Sequence, residues 1–339
     1  MILVTGGAGY IGSHFIKLYL EQNPNESVVI FDNLSTGSPV AIETLKSLFG
    51  ERLYFEQGDI LDESKLKDVF FKYKPIAVAH FAAIIRVDES MEIPGAYFKN
   101  NVSGSLALMN AMEEAGVRKM LFSSTCVTYG NPQYTPLDEK HPTNPISVYG
   151  LNKLMIEEAM RGYALSKGWS TVALRYFNVA GCDPTGEIGK SHGFTPHLIM
   201  QCLKVANNDP EVPQLRLFGN DYNTPDGTCI RDYIHIQDLV NGHIKALNYI
   251  NNTLCSQSGG FEVFNLGTGT GSSVYEILEA SKRVTQKEIP YTLQPRRAGD
   301  SEILICNTSK SKSILDWQAE YSLEEAISSA WNWMQAPKY

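Results

Sequence analysis

Residues 1–12 constrain the fold more than any other stretch. Met1-Ile2-Leu3-Val4 is a short apolar run, Thr5-Gly6-Gly7-Ala8-Gly9-Tyr10-Ile11-Gly12 follows it, and an apolar-periodic segment continues from Ile11 through Phe15, Ile16 and Leu18 to Leu20. That order is strand, glycine turn, helix. The spacing Gly6-x-x-Gly9-x-x-Gly12 lets backbone approach a pyrophosphate at a helix N-terminus, where unpaired N–H groups and the helix dipole favour negative charge. A second strand, Val28-Val29-Ile30-Phe31, ends in Asp32, twenty positions after Gly12 (32 minus 12). A carboxylate there accepts from the adenosine ribose hydroxyls and repels a 2'-phosphate, so the pattern predicts NAD in preference to NADP.

Strands are expected again at Arg52 to Gln57, Ala77 to Phe81 and Lys119 to Ser124, with helical periodicity at Glu63 to Tyr73 and about Ala96 to Ala115. Strands alternating with helices imply an α/β fold, a parallel sheet wound on both faces, with ligands beyond the C-terminal strand ends. At those ends lie Asp59-Ile60, whose carboxylate can accept from the adenine amino group or serve as a turn residue. Phe81-Ala82-Ala83, small enough to admit a cofactor, and Ser123-Ser124-Thr125 lie there too. His80, inside an apolar strand, reads as a core histidine.

Thr125 and Tyr149 are expected to share one cleft. Tyr149-Gly150-Leu151-Asn152-Lys153 sets a phenol and an ammonium one helical turn apart on a common face. A phenol needs its pKa of about 10 lowered before it takes an alcohol proton, and a fixed lysine charge favours the phenolate. The Thr125 hydroxyl can relay the proton. Prolines at 132, 136, 142 and 145 keep 131–147 irregular, and apolar positions at Leu151, Leu154, Met155, Ala159 and Tyr163 predict a helix to Lys167.

After the strand Thr171 to Tyr176 the alternation fails, since 181–197 and 207–231 are rich in glycine and proline. This change of texture marks a second, smaller mixed α/β lobe. The reading assigns 1–176 to dinucleotide binding, with a probable return of the chain over 236–267 through a helix and the buried-looking run Phe261 to Gly267. It assigns 177–235 and 268–339 to the substrate lobe. Arg216, Arg231, Arg296 and Arg297 are the candidate anion-binding groups of that half, since guanidinium forks suit a diphosphate. The net charge of -8, from 29 Lys+Arg against 37 Asp+Glu, argues against a nucleic-acid partner or an anionic membrane surface. Six scattered cysteines without a Cys-x-x-Cys pair point to free thiols, no metal and a cytoplasmic setting.

With Thr-Gly-Gly-Ala-Gly-Tyr-Ile-Gly, Phe-Ser-Ser-Thr, Tyr-Gly-Leu-Asn-Lys and Leu-Arg-Tyr-Phe-Asn-Val-Ala-Gly in order, the chain resembles the extended short-chain dehydrogenase/reductase superfamily. Phe218 to Tyr222, Asp226 to Thr228, Arg231 to His235 and Pro295 to Asp300 make it similar, within that superfamily, to the UDP-glucose 4-epimerase family over residues 1 to about 335. The resemblance implies a Rossmann-type sheet, a homodimer joined through helices near 96–115 and 150–167, and C4 epimerisation of a UDP-hexose through a transient 4-keto sugar. Thr125, Tyr149 and Lys153 would be catalytic. NAD would be held by Gly6, Gly9, Tyr10, Ile11, Gly12, Asp32, Asn33, Ser35, Thr36, Gly37, Asp59, Ile60, Phe81, Ala82, Ala83, Asn100, Ser123, Tyr149, Lys153, Tyr176 and Phe177. The nucleotide sugar would be held by Thr125, Tyr149, Asn178, His197, Leu198, Arg216, Leu217, Phe218, Arg231, Arg297, Asp300 and Leu304. Two departures stand out: Ile85-Arg86 where some members carry lysine at 85, and Leu304 where enzymes strict for UDP-glucose and UDP-galactose often carry tyrosine, which leaves room for N-acetylated sugars. A UDP-glucuronate 4-epimerase or decarboxylase is the alternative. A dehydratase is disfavoured because Cys126-Val127 follow Thr125 where an acid pair is expected.

Overall fold

The apolar runs of the first half are strands, and the computed structural model describes them within residues 1–190, 197–297 and 300–339. Ala298 and Gly299 of the Pro295 to Asp300 motif, and 191–196 of the glycine-rich loop, lie outside the described residues. Numbered along the chain, β1 is Ile2–Thr5, β2 Val28–Asp32, β3 Leu53–Gln57, β4 Val78–His80, β5 Lys119–Ser123, β6 Ser170–Tyr176 and β7 Asn178–Ala180. They are followed by β8 Leu215–Phe218, β9 Ile230–His235, β10 Gly260–Leu266, β11 Gly271–Ser273, β12 Tyr291–Gln294 and β13 Ile303–Leu304. The large sheet has seven strands in the order β10-β6-β5-β4-β1-β2-β3, and every pairing in it is parallel.

Side chains alternate between its two faces, which is why these strands read as continuous apolar runs. Ile2, Val4, Val28 and Ile30 enter one core with Phe15, Leu20, Leu239 and Ile244; Leu3, Val29 and Phe31 enter the other with Leu66, Phe70, Leu108 and Met112. Helices Tyr10–Gln22 and Ile236–Tyr249 cover the first face, and Glu63–Tyr73 and Gly104–Glu114 the second. Each fully buried side chain of this size contributes about 1.5–3 kcal/mol relative to exposure. The strand order reverses between β1 and β4, so their C-terminal ends open a crevice where a doubly wound sheet takes its ligand.

The helix read over about 96–115 differs in detail. Pro94–Tyr97 is one α-helical turn, Phe98–Ser103 winds as a π-helix, and the α-helix resumes at Gly104–Glu114. The wider turn lets the buried Asn101 point sideways: its Nδ2 donates to the Ile84 carbonyl and its Oδ1 accepts the Ile84 N–H, both at 2.9 Å. The loop leaving β4 is thereby fixed. The return of the chain to the large sheet is β10, parallel to β6 over its whole length.

In the other half β9 is central: β7 pairs with Tyr233 to His235, β11 with Ile230 to Asp232 and β13 with Ile230 and Arg231. A separate parallel pair, β8 with β12, lies beside it. Cys202, Leu203, Ile277, Leu278, Ile327 and Trp333, from helices Leu198–Ala206, Val274–Thr285 and Leu323–Gln335, form a third core.

Candidate active site

The glycine turn is held open by sterics that only glycine satisfies. Gly6 has φ +71°, and a methyl group there would lie 2.5 Å from the Ala82 nitrogen; at Gly12 it would lie 2.3 Å from the Gly6 carbonyl oxygen. Gly9 precedes helix Tyr10–Gln22 with no side-chain cap, so the leading N–H groups face the crevice uncommitted to any side chain. Tyr10 points elsewhere, donating to the Gly181 carbonyl at 2.5 Å, and Ile11 is half-buried.

Asp32 is buried at the end of β2, its carboxylate accepting the Ala8 N–H at 3.0 Å and the Leu34 N–H at 2.8 Å. Burial raises its pKa and those two hydrogen bonds oppose the rise. Asn33 donates to Asp59 at 2.9 Å and accepts the Ser35 N–H, while Asp59 also takes the Leu61 N–H, the turn role left open by the sequence. Ser35 and Thr36 are exposed on this rim, Gly37 packs against Ala8, and Ile60 is buried against Gly104. Phe81, Ala82 and Ala83 leave β4 half-buried beside Gly6, and Asn100 donates to Asn101. These residues form one continuous cradle that a dinucleotide fits. His80 lies behind it, bonded to Thr5 at 2.6 Å and Ser105 at 2.8 Å; burial, with Lys153 adding to it, holds it neutral to about 3, as a core histidine should be.

The helix predicted from Leu151 begins earlier, at Val148–Lys167, because the Ser147 hydroxyl caps it through the Gly150 N–H at 3.1 Å. Tyr149 therefore sits in the first turn, its N–H donating to the buried Ser90 hydroxyl at 3.1 Å. Lys153 is 2% exposed; its ammonium donates to the Ser123 carbonyl at 2.7 Å and lies 5.8 Å from the Tyr149 ring centroid. Thr125, at the end of β5, accepts the Val127 N–H and hydrogen-bonds Tyr149. Ser123 bonds the Tyr176 hydroxyl, and Phe177 is buried alongside.

The acidification expected of Tyr149 is not what this geometry produces. Burial pushes the phenol well above its ordinary value, Tyr176 and Cys126 push the same way, and the Thr125 hydrogen bond opposes them. Burial also drives the Lys153 ammonium down to about 7, against the pull of Glu157. Both groups are shut off from water, and desolvation favours their neutral forms over the effect of one cation on the other.

The second set converges from the smaller sheet. Arg231 on β9 reaches Asp300 at 3.6 Å, Arg297 stacks 3.9 Å from the Phe218 ring centroid, and Arg296 pairs with Asp221 at 2.7 Å. Arg216 is exposed on β8, beside buried Leu217. Asn178 donates to the Asp232 carbonyl at 3.3 Å. Leu304 and Cys126, the residue after Thr125, both pack on the small cluster of Tyr129, Leu137, Phe177 and Cys306, which joins the two sets. His197 is exposed at the start of helix Leu198–Ala206, and Leu198 packs partly on the third core. Ile85 is exposed and Arg86 bonds Asp88 at 2.9 Å.

Several supports were not read from the sequence. Asp232, fully buried, accepts from Thr268, Gly269 and Cys306 and so ties β9 to the strand bearing Leu304. An acid within the strand Ile230–His235 was its signal. Ser90 and Asn101 carried none.

A family model described as GDP-mannose 4,6 dehydratase matches residues 3–330. UDP-glucose 4-epimerase of Rhizobium meliloti is 42% identical over 332 residues, 98% of this chain and 96% of that one. Among solved structures, UDP-glucose 4-epimerase from Brucella ovis in complex with NAD superposes with TM-score 0.89 at 40% identity, covering 98% of this chain and 97% of that one. The UDP-Glc/GlcNAc 4-epimerase from Campylobacter jejuni superposes with TM-score 0.85 at 39% identity, covering 98% of each.

Proposed function

The chain belongs to the UDP-glucose 4-epimerase family, and from that premise we propose that Thr125, Tyr149 and Lys153 carry an NAD-dependent inversion at C4 of a UDP-hexose. The observation that carries the assignment is the buried meeting of these side chains at the C-terminal end of β5, two strands from β1 and its glycine turn fit for a dinucleotide. UDP-glucose and UDP-galactose are the interconverted pair.

NAD, when bound, supplies a positively charged hydride acceptor that later returns the hydride. Everything else falls to the chain. Gly6, Gly9, Gly12, Asp32, Asp59 and Asn100 hold the dinucleotide, with the remaining cradle residues around them. Tyr149, as the phenolate that the positive charge of a bound cofactor would favour over the neutral phenol of the unliganded pocket, takes the proton of the C4 hydroxyl, directly or through Thr125, and gives it back after the 4-keto sugar has presented its opposite face. Exclusion of water around Lys153 and Tyr149 protects that ketone. Asn178, Arg216, Phe218, Arg231, Arg297 and Asp300, with His197, Leu198 and Leu217, hold the UDP end, so the hexose turns while its handle stays fixed, and Leu304 borders the sugar's 2-substituent. Residues 1–176 with 236–267 form the cofactor half in this assignment, and 177–235 with 268–339 the substrate half.

Although the matching family model is described as a dehydratase, the positions after Thr125 hold Cys126 and Val127, a thiol that burial raises to about 12 and an aliphatic chain. Neither serves the elimination of water. A second reading, acceptance of UDP-N-acetylhexosamines, is favoured by Leu304, smaller than tyrosine, and by the similarity to the UDP-Glc/GlcNAc 4-epimerase of Campylobacter jejuni. The reading further assigns the chain to cytoplasmic galactose metabolism. It also assigns a homodimer, supported by Met91, Leu106, Leu151 and Met155 exposed on neighbouring helices. No helix among the described residues is long and apolar enough to cross a membrane.

Incubating the purified protein with UDP-galactose, without added NAD, tests the function. UDP-glucose is expected as the product, and its absence both without and with added NAD rejects the proposal. The same assay with UDP-N-acetylgalactosamine decides the second reading.

A further inference from the structure

Beneath the Tyr149 and Lys153 pair lies a second charged pair that the acid–base assignment leaves unused. Glu157, one helical turn past Lys153, is 0% exposed and faces Arg175 of β6, itself buried. The Arg175 Nε donates to Oε1 at 3.0 Å, Nη2 donates to Oε2, and the Ser124 hydroxyl donates to the same Oε1. Arg175 also lies 4.7 Å from the Tyr129 ring centroid, and the Tyr129 hydroxyl donates to Asn265 of β10 at 2.6 Å. One carboxylate thus stitches the end of β5 to β6 and to the helix bearing the reactive groups.

Such a pair is a poor device for stability alone. Desolvating both ions costs about what their attraction returns, and apolar side chains of the same volume often do as well. What it does supply is position. Ser124 stands between Ser123, whose carbonyl receives the Lys153 ammonium, and Thr125, whose hydroxyl meets Tyr149.

We propose that Glu157, gripped by Arg175, is a positioning residue for the acid–base group: through Ser124 it sets the height of the Ser123 carbonyl and the Thr125 hydroxyl, and it presents a negative charge beneath the Lys153 ammonium. This rests on the proposed epimerase reading. The groups around that ammonium are the Phe122 ring at 4.7 Å, the Tyr149 phenol, neutral His80 and Glu157, with Arg175 beyond. No carboxylate among the described residues pairs with it directly, and Glu157 is the group that opposes its loss of charge.

The test is the pH dependence of UDP-galactose turnover by the NAD-loaded protein. Glu157→Gln keeps an acceptor for Ser124 but removes the charge. It is expected to lower kcat about tenfold with little change in KM, and to move the alkaline limb of the kcat profile down by about one pH unit. Ser124→Ala leaves the charge in place and is expected to lower kcat without moving the limb, and Glu157→Asp to restore the limb of the glutamine variant. Should Glu157→Gln fail to fold, the volume-conserving double variant Glu157→Gln with Arg175→Met removes both charges, and a smaller limb shift in the same direction is expected of it, since the nearer carboxylate outweighs the guanidinium beyond it. An unmoved limb in whichever variant folds overturns the inference, whatever the loss of kcat. If the wild-type protein itself does not turn over the sugar, the epimerase reading fails, and this inference with it.

Discussion

At the edge of the large sheet the groups assigned to the reaction are shut away, Lys153 at 2%, Thr125 at 6% and Tyr149 at 8% exposed, each tied to backbone or hydroxyl partners. Across the cleft most groups assigned to the handle are reached from solvent: Arg216 is exposed and Arg297 lies over Phe218, while Arg231, half-buried, meets Asp300 at 3.6 Å and donates to the Ile230 carbonyl at 2.9 Å. Buried groups gain rigidity and shifted proton affinity at the cost of desolvation. Accessible arginines keep their charge and part easily from a ligand. A site that must turn one part of its substrate while gripping another uses both.

The comparison is open to attack from its strongest side first. Gly12→Ala places a methyl group against the Gly6 carbonyl and is expected to leave purified protein with neither bound NAD nor epimerase activity, as read by cofactor extraction and sugar analysis. Normal NAD content in that variant would remove the glycine turn from its role. Tyr149→Phe should retain the cofactor while kcat falls by about 10²–10⁴. Activity within a few-fold of wild type would show that the buried side does not carry the chemistry.

Acid titration probes the buried side as a whole. Burial holds His14, His235 and His243 neutral down to about 4 and His80 to about 3, whereas an unfolded imidazole charges near 6.5. The unfolded chain therefore binds more protons across that window. Stability should be full above about pH 6.5 and fall as the pH drops toward 4, by up to about 1.4 kcal/mol per pH unit for each histidine. Denaturant unfolding at stepped pH measures this, and a flat profile would contradict the buried assignments. The smallest effect belongs to the handle side: Arg231→Ala is expected to raise KM for UDP-galactose about tenfold to a hundredfold, with kcat nearly kept. A loss confined to kcat would place Arg231 with the chemistry.

The large sheet was legible in the sequence because most of its strands are apolar on both faces and its turns have their own punctuation, as at Gly6 to Gly12 and Asp32. Even the return strand was legible, since Phe261 to Leu266 has the same texture. The small sheet was not. β7, β11 and β13 are two or three residues long, too short for a period to register, and they exist because β9 offers edges to pair with. Within the candidate site the residue types assigned to the reaction were readable from their spacing. Their proton affinities were not, because spacing along a helix says that Lys153 is near Tyr149 and nothing of how dry the place is. The π-turn at Phe98–Ser103 and its grip on Ile84 were hidden for a similar reason, as a helix that swells by one residue keeps an ordinary composition.

The late strand β10 has a consequence for how the protein can breathe. Because the chain leaves the large sheet after Tyr176, comes back through Ile236–Tyr249 to lie beside β6, and departs again after Leu266, the halves are laced together at several points and not joined by one strap. A wide jaw-like swing would have to bend every lace at once. Traffic of sugar in and out is thereby left to the loops at the rim, and neither half can be cut away without unravelling the other.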